Sequence, residues 1–439
     1  MNTELFAEWL FRGLGRPYLY LQDHDSTPYH QVLLHACLYN PVYDRQCEGT
    51  RADYLFGLIA LSDESSTFQK QIIDAFATPD DAMDFEQLFD FALIFAQAGD
   101  PYSRQLMYEQ FSAHAGDGND IGATQLIDLD GIDGFRFVAA RLGEAAYVDP
   151  EFWDSDHLLR HLQAHTSDAM TDMDIAALGA TDPMLQQYLE IVAKTEAGRK
   201  HASQQRQGRR YQAYAKLKEN LLTKQNRPSY FQLKQWGMHA SDTDLAAAAH
   251  DLLQQDDPLH IAPYLAIFAQ RAFPFGFQPL LPFVRHTHER VARWTLHALS
   301  LFQSPVLRDV GLALLQDNWH RSDALGLFVR NYQLGDEHVL STLLEAAQTH
   351  DEVHALSFGL LEVLGQNTLA QAFMLRNMIY ERQPCSLCRT KVVRQLITAQ
   401  TIPDWMIHEC QYDADEDTRS AVAIYQNQKR ADDQVSRAG

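Results

Sequence analysis

Apolar residues recur along most of the chain at three- and four-residue spacing, the pattern of helices with one buried stripe, while alternating Val, Ile and Thr runs are nearly absent. The spacing predicts helices over 85–97, 103–115, 245–255, 291–302, 306–315, 339–347, 353–364 and 385–399. Short polar junctions separate them: Thr78-Pro79-Asp80-Asp81, Gly99-Asp100-Pro101, Thr181-Asp182-Pro183, Gln255-Asp256-Asp257-Pro258, Gln303-Ser304-Pro305 and Thr401-Ile402-Pro403-Asp404. An Asp or Ser followed by Pro supplies a side-chain acceptor for the free amides of a helix start and a residue whose φ is preset for the first turn. The chain therefore reads as all-α.

At 439 residues it is longer than one ordinary core supports, so it must divide or elongate. Several helix starts share an acid or Ser-Pro, then a basic residue, then small and apolar residues: Asp100-Pro101-Tyr102-Ser103-Arg104, Ser304-Pro305-Val306-Leu307-Arg308-Asp309, Asp351-Glu352-Val353-His354-Ala355 and Asp415-Glu416-Asp417-Thr418-Arg419. This grammar resembles the second helix of a HEAT-like or armadillo-type repeat, over residues 240–425 and more faintly over 28–115. Ala292 stands where that family carries Arg, and the repeat spacing is irregular. The resemblance implies a HEAT-like helical-repeat solenoid of stacked antiparallel helix pairs, with the acid capping each helix, the Arg tying neighbouring repeats, and a long exposed surface suited to binding.

Charge subdivides the chain. Residues 194–234 hold eleven Lys or Arg against Glu196 and Glu219, a net +9 within a chain of net −22. The expected organisation is an N-terminal helical region over 1–193, a basic connector helix over 194–234, HEAT-like repeats over 235–428 and a disordered tail over 429–439. The acidic total disfavours binding to nucleic acid, because a phosphate backbone is held by clustered cations. Arg206, Arg209 and Arg210, with Tyr211 and Tyr214 beside them, are the residues expected to dock a partner. No stretch approaches the ~18 apolar residues that span a bilayer, the first eleven residues lack a basic segment ahead of their apolar ones, and five cysteines make no disulfide framework. A cytoplasmic, membrane-free protein is expected.

Candidate chemistry is sparse. Cys385-Ser386-Leu387-Cys388, followed by His408-Glu409-Cys410, has the look of a zinc or thiol cluster. Yet three cysteines are one short of four ligands, and His408 and Cys410 lie on opposite sides of a helix, so packing is the simpler reading of Cys385, Cys388 and Cys410. The Asp- and Gly-rich stretch from Asp117 to Gly134 fails as a calcium loop, because Ile121 and Ile132 fall where an oxygen ligand is needed. His286, His288, Glu289 and His297 lack the His-Glu-x-x-His order. Asp44, Glu48, Arg51 and Tyr54 could line a pocket or equally satisfy helix ends and each other. No phosphate-binding Gly loop, dinucleotide fingerprint or nucleophile elbow occurs.

The expectation is a non-enzymatic scaffold or adaptor, without cofactor, that binds a protein partner. An acidic inhibitor that blocks a basic partner and a metal or thiol protein using the three cysteines are the alternatives.

Overall fold

The computed structural model describes residues 1–438 apart from 81, 116–119, 150, 166–171, 181, 209–212, 222–226 and 368–371, and every regular element among them is helical. The junction chemistry operates as expected. Helices Pro101–His114, Pro183–Gly208, Pro258–Ile267 and Pro305–Gln316 each start at the proline. Asp100 accepts from the amides of Tyr102 and Ser103, Asp182 from Met184 and Leu185, Asp257 from Leu259, and Ser304 from Val306. After Pro79 the start is delayed to Phe85–Gln97, because the buried Asp84 is the residue fixed in place. Its amide donates to the Leu38 carbonyl, its side chain accepts from Asn40, and it caps the Gln87 amide.

The chain divides into two compact units. Unit 1 comprises 1–203, 385–387 and 404–439; unit 2 comprises 204–384 and 388–403. The boundary at 203 falls inside the segment expected as a connector, within the helix Pro183–Gly208.

In unit 1 the apolar helix Phe85–Gln97 packs against Ala52–Ile59, Ser65–Ala77, Pro101–His114 and Ala123–Asp130. Its Leu88, Phe89, Phe91 and Ala92 are fully buried, each large side chain contributing about 1.5–3 kcal/mol of transfer free energy. Gln87, equally buried, donates to the carbonyls of Ala36 and Cys37 at 2.9 and 2.7 Å, satisfying the unpaired end of His30–Tyr39.

The C-terminal helices Asp404–Cys410 and Glu416–Ala438 also belong to unit 1. The Ala414 amide donates to the Gly13 carbonyl at 2.9 Å, and Tyr18 stacks on Tyr412 with ring centroids 4.3 Å apart. Arg16 Nε donates to the buried Glu409 carboxylate at 2.6 Å. Gly15 permits the approach, since a Cβ there would stand 1.9 Å from the Glu409 carbonyl oxygen. Residues 404–428 thus group with the first helices rather than with the stretch beginning at 235. The last helix, Glu416–Ala438, includes residues 429–438. Extending a helix that is already nucleated avoids the unfavourable first turn.

In unit 2 the contacts run between near neighbours in sequence: Tyr230–His239 on Pro258–Ile267, the latter on Glu289–Leu299, and Pro305–Gln316 on the short turns over 321–328 that pack against His350–Gln366. Gly237 lets the first pair approach, because a Cβ there would meet the Ile267 carbonyl oxygen at 1.9 Å. Ion pairs link residues about one helix pair apart: Arg271 with Asp242, Arg285 with Asp317, Arg293 with Asp323, and Arg308 with Asp336. Asp336 is 2% exposed and receives both Nε and a terminal nitrogen of Arg308. Ala292 is fully buried.

Candidate functional site

The helix Glu289–Leu299 buries Val291, Ala292, Thr295, Leu296 and Leu299 and turns Arg290, Trp294 and His297 outward. The helix Tyr230–His239, started by a reciprocal Ser229/Gln232 capping box, turns Tyr230 and Lys234 toward the same surface, one turn apart. The Tyr230 ring stacks on Trp294 at 5.2 Å and 15°. Arg290 lies over the Tyr230 ring at 5.6 Å, and Lys234 lies over the Trp294 ring at 6.0 Å. Beside this ladder Phe231 and Met238, seven residues apart and so on one stripe of the helix, are 68% and 43% exposed. Two cations held on aromatic faces and two free apolar side chains make an unusual surface on a chain of net charge −22. It can take up aromatic or acidic groups of a partner.

The residues expected to dock a partner lie nearby in sequence. Arg209, Arg210 and Tyr211 lie outside the described residues, as does the side chain of Arg206, whose backbone is in the helix Pro183–Gly208. Tyr214 requires correction. It is 7% exposed, its hydroxyl donates to Asp251 at 2.5 Å, and the Tyr264 hydroxyl stands 3.2 Å away. Burial, reinforced by the Asp251 carboxylate, drives its phenol pKa far up. Tyr214 is a core anchor of Tyr214–Leu221, with Lys218 on the same carboxylate at 2.6 Å, and presents no ring for stacking.

The three singled-out cysteines are all buried. In unit 2 the Cys388 sulfur is 3.6 Å from Nε2 of His354, a partner on a different helix that sequence spacing did not suggest. Cys385 precedes the helix Ser386–Thr398 and is 4% exposed, and Cys410 is fully buried at the end of Asp404–Cys410. Cys47 is the exposed thiol, and a hydrogen bond with Asp44 raises its pKa, making it a poor nucleophile.

The polar segment around residue 48 satisfies helix ends. Arg51, its side chain 3% exposed, donates at 2.7 Å to the carbonyls of both Leu10 and Phe11 and pairs with Glu48 at 3.1 Å. Glu48 in turn accepts from the amide and hydroxyl of Ser386 at 2.9 and 2.6 Å, and Tyr54 donates to the Leu14 carbonyl. Within the acidic Gly-rich stretch, Asp117 and Asn119 lie outside the described residues, and the remaining acids disperse. Asp130 pairs with Arg104 and Tyr108, Asp133 with Arg136, and Asp120 and Asp128 with histidines. His286 instead accepts from the His288 amide, and His297 faces Asp323.

One cluster escaped the sequence reading. The helix His157–His165 places His157, His161 and His165 on one face at successive turns, opposite Asp120, Asp128 and Asp154. His157 is bridged on both nitrogens, to Asp120 at 2.7 Å and Asp154 at 3.4 Å, and these hydrogen bonds raise its pKa to about 9. Asp128 approaches His161 at 2.7 Å and His165 at 3.9 Å. The repeated His-x-x-x-His spacing was the available signal; the acids that complete it come from other elements.

No family model, curated protein or solved structure matches the chain.

Proposed function

We propose that the protein is a helical-repeat scaffold that binds a protein partner, and that the docking surface is the aromatic and basic face of Tyr230, Trp294, Lys234 and Arg290 with Phe231 and Met238 beside it. The carrying observation is the Tyr230–Trp294 stack, with a cation over each ring, next to a phenylalanine that is 68% exposed. A fixed aromatic platform loses little conformational entropy on binding, and aromatic and Arg side chains dominate interface energetics. The ion pairs that recur from Arg271 to Asp336 support a repeat arrangement, each tying one helix pair to the next. The surface is basic in its local chemistry, so the segment it takes should be acidic and apolar.

The test is affinity capture from lysate of the native cells, comparing the wild-type protein with Phe231→Ser and Trp294→Ala. A partner recovered in stoichiometric amount by the wild type and lost with both variants supports the reading. Unchanged recovery with both variants overturns the site.

A further inference from the structure

We propose that Asp128, His161 and His165 form a binding site for a divalent transition-metal ion of the zinc class, independent of the docking surface. His161 and His165 are one helical turn apart on His157–His165, and their rings stack at 4.2 Å and 27°. Asp128 reaches them from the helix Ala123–Asp130, its Oδ1 lying 2.7 Å from Nε2 of His161 and 3.9 Å from Nε2 of His165. One ligand atom from each residue lies within 4.8 Å of the others. Tetrahedral zinc with bonds near 2.1 Å holds its donors roughly 3.4 Å apart. The two carboxylate–imidazole separations bracket that value.

The second nitrogen of His165 strengthens the assignment. Its Nδ1 lies 2.9 Å from the His161 carbonyl oxygen, an acceptor, so Nδ1 carries the proton and Nε2 presents its lone pair toward Asp128. A backbone carbonyl behind a histidine fixes tautomer and ring orientation in this way at metal centres. His157, one turn earlier, is excluded as a ligand because carboxylates occupy both of its nitrogens. The ligand side chains are 29%, 23% and 54% exposed in the order Asp128, His161 and His165, which leaves the entry open and a fourth position for water or a partner's side chain. Two imidazoles and a carboxylate suit zinc better than calcium or magnesium, which require oxygen sets.

The test uses the purified full-length protein and zinc or cobalt chloride, with His165→Ala, Asp128→Asn and Cys388→Ser as variants. The first removes an exposed side chain whose loss leaves the helix intact, so failure to fold does not confound it. The expected result is one zinc per wild-type chain by calorimetry, with affinity reduced at least ~10-fold by His165→Ala and by Asp128→Asn, since even outer-shell losses cost that much. Cys388→Ser should bind as the wild type does, and the cobalt form should lack thiolate charge-transfer absorption in the near ultraviolet. Absence of a one-equivalent binding isotherm, affinity indifferent to both site variants, or a thiolate band abolished by Cys388→Ser would each overturn the proposal.

Discussion

Replacing Glu48 by Ala should be among the most destabilising single changes in unit 1. The Glu48 and Arg51 side chains are 1% and 3% exposed and 3.1 Å apart. Arg51 also holds the terminal carbonyls of Thr3–Arg12 through Leu10 and Phe11, while Glu48 holds the amide and hydroxyl of Ser386. Without Glu48 the buried guanidinium loses that carboxylate, and breaking a buried pair from one side costs about 3–5 kcal/mol. Unit 1 has about 240 residues. At about 2–4 °C per kcal/mol for that size the melting temperature should fall by roughly 6–20 °C. Calorimetric melting of wild type, Glu48→Ala, Glu48→Gln and the Glu48→Met/Arg51→Met pair gives the answer. Glu48→Gln, which keeps an acceptor for Ser386, should lose less, and the double variant should recover part of the loss because both buried charges are removed together. A drop below about 2 °C for Glu48→Ala, or a double variant worse than either single, would refute this reasoning.

Two further outcomes follow from the site geometry. For His157, whose folded pKa is raised to about 9 from 6.5, the ion pairs stabilise the fold fully below about pH 6.5, and that contribution is lost as pH rises through about 9. His157→Gln should therefore cost about 1 kcal/mol at pH 6, after allowance for solvent screening, and almost nothing at pH 10 by denaturant titration; a cost that grows with pH contradicts the assignment. Tyr214→Phe removes a buried hydroxyl that Asp251 and Tyr264 face, so it should destabilise by about 1–2 kcal/mol while leaving partner capture unchanged. Loss of capture with an unaltered melting temperature would return Tyr214 to the binding surface.

What the sequence made legible is what local chemistry determines. Asp100-Pro101, Asp257-Pro258 and Ser304-Pro305 start helices because acceptor and fixed φ act within four residues. The role of Glu48 and Arg51 at helix ends was foreseen as one of two readings, since they stand three apart, but Ser386 lies 338 residues from Glu48 and no pattern announces it. The return of Ala414 onto Gly13 is equally invisible until the chain is folded. Tyr214 was misjudged because its neighbours in sequence are basic, whereas its partners Asp251 and Tyr264 are 37 and 50 residues away. Trp294 and Lys234 could not be joined from sequence, because their packing depends on how Pro258–Ile267 holds two helices side by side.

The docking surface is tested most directly by a photoreactive phenylalanine analogue placed at position 231 in the native cell. The account predicts one discrete crosslinked species, captured through the tagged chain and abolished when Trp294→Ala is introduced alongside it. An analogue at 231 that yields no discrete species, or one whose product is indifferent to Trp294, would contradict the central claim.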